Sequence, residues 1–427
     1  METKRFGTLE GVFTPTVLSI LGVVMYLRLG WVVGQVGLAR ALGIIVASNI
    51  ITLCTGLSVA SITTNIRIGT GGAYSIISKS LGLEAGGAIG IPLYLSQAIS
   101  VAFYIAGFTE CWIAVFPHHN FILVAIATWA ALLCISYLSA KFAFRLQFLI
   151  MGVIALSLVS ALMGPKIAGQ TLHFWQGVGQ YNFWAVFAIF FPAVTGILAG
   201  VSMSGELKNP ERSIPLGALS AILVTFVIYM ALAFWFALVA SPQDLAGNTS
   251  IMIDLGRWRS LVVAGIMGAT LSSALSMFVA SPRVLLALGK HRAIPFSSSF
   301  SHMNARGEPT PAILLTALIS LLTLLLGTLN TIASILTIFF LITYGTLNIS
   351  VFIEKITGIV SFRPTFKIPV IVSLIGGVGC VYVMFLINQF FSFIAIAVTV
   401  LIYVVLVRSR MRESLPDVRR GLFVFMA

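Results

Sequence analysis

Few side chains in this sequence are equipped for acid–base or nucleophilic chemistry; the groups that stand out are hydroxyls and helix-breaking residues inside apolar runs. The stretch TPTVLSILGVV, Thr14 to Val24, contains Pro15, Ser19 and Gly22. The stretch FFPAVTGILAG, Phe190 to Gly200, contains Pro192, Thr195, Gly196 and Gly200. Pro192 cannot donate to the carbonyl four residues before it, and the glycines lower the cost of unwinding. An interrupted helix leaves N–H and C=O groups unpaired, which a bilayer tolerates only where they are buried in protein, face water or bind a solute. One reading of each stretch is a proline kink. The other is a binding site made of main chain. Freed carbonyls, with the hydroxyls of Ser19, Thr195 and Tyr104, suit a hard monovalent cation. Freed N–H groups suit an anion, helped by the positive end of the helix dipole.

Charged side chains within apolar runs are scarce. Arg28 and Glu110 fall toward the outer ends of their runs, and Glu206 and Arg283 toward the inner ends. Each reads either as a gate or vestibule charge or as a snorkelling or interhelically paired group, because a lone charge at mid-membrane costs at least about 2.5–3.5 kcal/mol. No mid-run carboxylate is present to neutralise a lone cation. An anion bound close by could do so, since unlike charges attract strongly at low dielectric. The missing charges therefore favour co-transport of a cation with an anion. No relay of buried carboxylates and no Ser/His, Asp/Asp or H-E-x-x-H constellation occurs, so the expectation is neither an enzyme nor a cofactor protein.

Other patterns carry less. Cys54, Cys111, Cys134 and Cys380 lie in apolar runs without ligand spacing and read as small packing residues. His118-His119 could hold a metal, but reads better as a solvated loop, and no transition metal is assigned. RIGTGGAYSIISKSLG, Arg67 to Gly82, is glycine-rich yet lacks the G-K-[ST] of a phosphate-cradling loop; it reads as a segment bent at the cytoplasmic face. Gly86 and Gly90 form a G-x-x-x-G that implies helix packing. Asn248-Thr249-Ser250 has the form of a glycosylation acceptor on an outer loop.

The elements that must position the two stretches follow from composition. Of 427 residues, 59% are hydrophobic and 9% charged, and runs of about twenty apolar residues, enough to cross a hydrocarbon core, recur along the chain. About twelve spans are predicted, at 11–35, 38–62, 84–115, 121–139, 145–163, 183–205, 214–240, 257–288, 311–328, 330–353, 368–388 and 389–408. Met1 to Glu10 reads as a cytoplasmic tail rather than a signal peptide. With both termini inside, about twenty of the 25 Lys and Arg residues fall on the cytoplasmic side. They include Arg67, Lys79, Lys141, Arg145, Arg292, Arg363, Arg408, Arg410 and Arg412. The net charge of +13 is thus an orientation signal; no basic stripe alternates with exposed aromatics, which argues against a nucleic-acid partner. The expected setting is the cell membrane, plasma or inner, with the bilayer as partner.

The two interruptions are five spans apart. Paired broken helices at equivalent places in two halves point to an inverted-repeat secondary transporter with its site at the midplane. The predicted organisation is a cytoplasmic tail (1–10), a first repeat of spans one to five (11–163) and a second of spans six to ten (183–353). Two peripheral spans (368–408) and a short cytoplasmic C-terminal tail (409–427) follow.

The residues also carry a family resemblance. RLGWVVGQVG (28–37), GGAYSIISKSLGLEAGGAIG (71–90), FYIAGFTE (103–110), FFPAVTGILAGVSMSGELKNPERSIPLG (190–217), ATLSSALSMFVASPRVLLAL (269–288) and SFRPTFK (361–367) resemble, in order and over nearly the whole chain, the cation-chloride cotransporters of the amino acid–polyamine–organocation transporter superfamily. The resemblance implies an all-α membrane fold, a LeuT-like five-plus-five inverted repeat with broken first and sixth helices. It implies potassium held by Ser19, Ile20, Tyr104, Pro192 and Thr195. It implies one chloride near Gly22, Val23 and Val24, and another by Gly196, Ile197 and Leu198 with the Tyr344 hydroxyl. Sodium would lie by the Leu18 and Leu21 carbonyls with Ala269, Ser272 and Ser273. The adjacent Ser272 and Ser273 are similar to sodium-coupled members, although serines in membrane helices also bond the carbonyl four residues back with no further role. The transported ions implied are Na+, K+ and Cl−, and a homodimer is allowed.

The chain departs from the sodium-potassium-chloride pattern at Ser19 and Leu21, where those members have Asn and Trp, which bears most on potassium coupling. The family's large cytosolic C-terminal domain is expected to be absent after Arg420, and the long loop between spans seven and eight is short. Two further readings stay open: a permease for amino acids or another organic solute on the same fold, and a channel or non-transporting receptor-like scaffold. A permease would expect a small G-[ST]-G first break; Ser19-Ile20-Leu21-Gly22 is bulkier.

Overall fold

In the computed structural model the described residues are 6–65, 74–75, 78, 82–138, 140–164, 174–202, 207–304, 308–358 and 363–408. Expectations placed on Arg67, Lys79, Glu206, Arg410 and Arg412, on the side chains of Lys141 and Arg145, and on most of the 67–82 segment lie outside them. The described chain is helical; its strand-like pairing is a single bridge, in which Lys208 N–H donates to the Phe6 carbonyl at 2.9 Å. Among the described residues nine helices are long and apolar enough to cross a membrane.

The polarity of these helices is inverted relative to a water-soluble bundle. Helix Leu38–Thr63 buries Ser48, Asn49, Thr52, Thr55 and Ser58 while exposing Val46, Ile50 and Leu53. In water that arrangement loses on both faces; against lipid, the apolar face needs no partner and small polar residues let helices approach and bond. Helix Gln389–Arg408 exposes Phe390, Phe391, Phe393, Leu401 and Val405 in the same way. Three cysteines are buried, but Cys134 is exposed, which corrects its reading as a packed residue: it lies on a helix, Phe121–Leu138, whose Leu123, Ile126 and Ile135 also face outward.

Both interruptions are present. The first run passes from a π-turn, Leu9–Phe13, to helix Thr14–Ile20, leaves helical geometry at Leu21 (ψ 50°) and Gly22 (φ −98°, ψ −147°), and resumes as Val23–Leu27. A further kink at Arg28 (φ −128°) precedes helix Leu29–Val36, which the sequence did not foretell. The second run is helix Phe183–Phe190, capped by the Asn182 side chain accepting from Ala185 N–H. A 3-10 turn, Phe191–Val194, follows, and the run resumes as helix Ile197–Ser202. Pro192 in that turn removes the donor that would have continued the α-ladder.

The rest of the fold brings four long helices to these breaks. Leu83–Val115, Pro210–Val239, Arg259–Lys290 and Leu329–Thr357 are continuous despite Pro92, Pro215 and Pro282. Gly90 fits the expected packing role: a Cβ there would come within 2.6 Å of the Tyr74 ring and 2.9 Å of Leu288. Short helices Pro242–Gly247 and Ile251–Leu255 fill the connection after the Pro210 helix. Asn248 is tied down there, donating to Asp254 and accepting from the Ser250 N–H and hydroxyl. His118 and His119 are exposed, with the His119 ring stacked on Phe116 and accepting from the Trp112 indole N–H.

Candidate functional site

The two breaks meet. A Cβ on Gly196 would lie 2.6 Å from Ser19 Cβ and 3.0 Å from the Ser19 carbonyl carbon, so only glycine lets the second break approach the first this closely. Gly22 faces the Tyr104 ring in the same manner, with 3.3 Å to Cε1.

Around this contact, hydroxyls from the four long helices point at carbonyls that the breaks release. Tyr104 donates to the Ser19 carbonyl at 3.2 Å and Ser273 to the Leu18 carbonyl at 3.3 Å. Tyr229 donates to the Ile20 carbonyl at 2.8 Å, and Tyr344 donates to the Thr195 carbonyl. The Thr195 hydroxyl turns back to the Pro192 carbonyl at 2.9 Å, and Thr337 donates to the Ala188 carbonyl at 2.6 Å. Every main-chain oxygen named here belongs to the last turn before a break or to the break itself, where the regular helical ladder stops; the Pro192 carbonyl also accepts the Thr195 N–H at 3.4 Å. All these groups are buried; Tyr229 and Tyr344 are fully so.

The expected residues are therefore largely together. Leu18, Ser19, Ile20, Leu21, Gly22, Pro192, Thr195 and Gly196 line the two breaks, with Val23, Val24, Ile197 and Leu198 opening the second half-helices. Tyr104, Ser273 and Tyr344 reach them. Ser272 does not bond the first break; it is buried, and its carbonyl accepts from Ser276, while Ala269 is buried one turn earlier. Tyr229 and Thr337 were missed, because a tyrosine or threonine in an apolar run carries no sequence mark that separates a site from packing.

Behind Tyr344 lies a fully buried amide. Asn348 donates to the Tyr344 carbonyl at 2.9 Å and to the Thr55 hydroxyl at 2.8 Å, and accepts from Ser58 at 2.7 Å. Ser58 also lies 3.1 Å from the Ser373 hydroxyl. The lone Asn in the run FLITYGTLNIS was the available signal for this network.

Toward the Arg28 end, a cavity of about 720 Å³ is lined by Arg28, Glu110, Tyr181, Thr249, Ser250 and Asn330 among others, and reaches Ile189, one residue before the end of the helix that precedes the second break. Arg28 and Glu110 form a two-pronged pair there, at 2.9 and 2.8 Å, and Arg28 Nε donates to Asn330 at 2.5 Å. The Arg28 side chain is 4% exposed and that of Glu110 23%. For Arg28 and Glu110 the expected interhelical pairing is present, and it lines this cavity. Among the described residues, no group of three or more His, Cys, Asp or Glu side chains is placed to hold a metal ion.

The family model for amino acid permeases matches residues 11–418, a range that holds both breaks and every hydroxyl described above. The chain belongs to the amino acid permease family. Within it, the chain is 32% identical over 98% of its length to solute carrier family 12 member 2 of Mus musculus and 32% over 98% to member 1 of Homo sapiens. It is 33% identical over 93% of its length to member 3 of Pseudopleuronectes americanus. The chain spans 40%, 43% and 46% of these relatives, respectively. Solute carrier family 12 is the cation-chloride cotransporter group whose motifs the sequence resembles.

Proposed function

We propose that this chain is a secondary active transporter, a chloride-coupled symporter of Na+ and/or K+ that works by alternating access. The observation that carries the reading is the convergence of Tyr104, Tyr229, Ser273 and Tyr344 hydroxyls on carbonyls of two abutting helix breaks. Neutral oxygens suit alkali cations, and without a carboxylate among them the cation's charge is balanced best by an anion bound alongside.

On this reading potassium takes the oxygens of Ser19, Ile20, Tyr104, Pro192 and Thr195, and sodium those of Leu18, Leu21, Ala269, Ser272 and Ser273. Chloride takes the N–H groups of Gly22, Val23 and Val24 and of Gly196, Ile197 and Leu198, with Tyr344 turning its hydroxyl to the second anion. The Asn348 network favours this use of Tyr344 by fixing the turn that bears it. Spans one to five and six to ten form the inverted repeats of a twelve-helix bundle, and spans one, two, six and seven rock against the remainder. The Arg28–Glu110 pair closes the vestibule above the site. Both termini lie in the cytoplasm of a cell whose surface or inner membrane holds the protein, and a homodimer is compatible with the lipid-facing last helix.

Rubidium uptake into proteoliposomes of purified protein, with chloride and sodium each replaced in turn, tests the reading. Uptake that needs both ions supports sodium-potassium-chloride symport. Uptake that needs chloride alone makes Ser272-Ser273 structural. If no chloride-dependent rubidium uptake is seen, sodium-chloride symport is next, tested with labelled sodium, then a permease for amino acids or another organic solute. The matching family's name favours that second reading; the bulk of Ser19-Ile20-Leu21 at the first break disfavours it.

A further inference from the structure

Tyr229 touches both breaks at once. Its hydroxyl donates to the carbonyl of Ile20, the last residue of the first half-helix. Its ring meets Phe190 edge-on, with centroids 5.5 Å apart and planes at 82°. Phe190 ends the helix that enters the second break. One side chain thus grips the first break by its oxygen and the second by its ring.

We infer that Tyr229 is a positioning residue for the cation site, aiming the Ile20 carbonyl and setting which alkali cation the site prefers; the inference rests on the reading of the breaks as a cation site. A carbonyl oxygen offers two lone pairs. Tyr229 takes one and leaves the other for a ligand, in a direction fixed by the hydrogen bond. A carbonyl that already accepts a proton presents a weaker field to a cation. Weaker-field oxygens discriminate less against large, loosely hydrated cations and more against small ones, whose hydration is costlier to replace. The hydroxyl therefore tilts the site toward potassium and rubidium over sodium and lithium.

Position within the fold separates Tyr229 from the other hydroxyls. Tyr104 and Ser273 belong to the Leu83 and Arg259 helices, the third and eighth spans, so their bonds to Ser19 and Leu18 join the proposed rocking bundle to the part that stays. Tyr229, on the seventh span, is in the bundle with the break it holds. Its bond persists while the others break, and Ile20 keeps its aim through the cycle.

The test is Tyr229→Phe in the full chain, which keeps the ring against Phe190. Initial rubidium uptake is measured against rubidium, sodium and chloride concentration. The melting temperature is measured in lithium, sodium, potassium and rubidium chlorides. The expected result is a rise of about three- to tenfold in the apparent KM for rubidium, the size of one lost hydrogen bond. Rubidium should lose its advantage over sodium, and the chloride KM should stay at the wild-type value. Unchanged cation affinity and ranking overturns the inference. So does an equal loss of cation and chloride affinity with a lower melting temperature, which is what a packing role alone produces. If Tyr229→Phe does not fold, Phe190→Leu leaves the hydroxyl but frees the ring. A cation-only shift there supports the inference, and a shift in chloride affinity as well overturns it. If the wild type shows no chloride-dependent uptake of rubidium or sodium, the symporter reading falls while the cation ranking by melting temperature still decides this one. A ranking that Tyr229→Phe erases supports the inference; no stabilisation by any alkali cation overturns it.

Discussion

Tyr104 and Tyr344 each donate a hydroxyl proton to a main-chain carbonyl. On the proposed reading the Tyr104 oxygen would offer a lone pair to the cation, while the Tyr344 proton would leave Thr195 to serve the anion. Tyr104→Phe is therefore expected to raise the apparent KM for the cation, and Tyr344→Phe that for chloride, each by about three- to tenfold. Concentration series for each ion in the same vesicles check this, and unchanged values in both variants would remove the site assignment. Arg28 is nearly buried with Glu110 as its carboxylate partner. Glu110→Gln leaves that guanidinium charge facing a neutral amide, a loss of about 3 kcal/mol for a fully buried pair and less here because Glu110 is partly exposed. A fall in melting temperature should accompany it. At this scale the sequence was legible where chemistry and conformation coincide. Proline, glycine and hydroxyl residues marked the breaks, whereas Ser273 was pointed to only by the family resemblance. The Arg28–Glu110 pairing was one of two open readings, since the residues are 82 apart in sequence and nothing local joins them. Tyr229 was illegible, because its role comes from two helices that the chain reaches only through folding.

Helices pack at the breaks through missing side chains as much as through present ones. Gly196→Ala would place a methyl group 2.6 Å from Ser19 Cβ, and relief requires moving the first break. Overpacking of this kind costs about 1–3 kcal/mol, and the loss should appear in ion affinity before it appears in folding, because the displaced backbone is the proposed site. Competition of sodium and rubidium against thermal unfolding measures the difference. Asn348 joins three helices through Thr55, Ser58 and Ser373. Interhelical hydrogen bonds in membranes average about 0.6 kcal/mol, so Asn348→Ala should lower the melting temperature by a few degrees and broaden the chloride response through Tyr344. Element boundaries were read well because apolar runs end at charged or turn residues. The kink at Arg28 was not, since neither proline nor glycine marks it; the buried ion pair holds the guanidinium in place there.

At the scale of the whole molecule, the inverted polarity of the helices makes lipid part of the fold. The placement of apolar runs was legible because hydrocarbon imposes a minimum length: of about twelve predicted spans, nine are helices long and apolar enough to cross a membrane among the described residues and three are shorter apolar helices. The close approach of first and second breaks was not, since it depends on how many helices settle around one point. Helix Thr310–Leu324 is 15 residues, a rise of about 22 Å, short of the ~30 Å of hydrocarbon that the proposed ninth span would cross. Leu314, Leu318 and Leu322 form its exposed stripe. Its other side packs against the Leu83 and Arg259 helices, which carry Tyr104 and Ser273. A bilayer that is too thick must thin beside this short helix, at a fraction of a kcal/mol per ångström. That strain would be felt by the two helices that carry Tyr104 and Ser273. Vesicles made from phospholipids of graded acyl length should therefore show an optimum of uptake toward the shorter chains, with cation affinity drifting as thickness grows. The length of one short helix would thus make bilayer thickness a quiet regulator of what the protein carries.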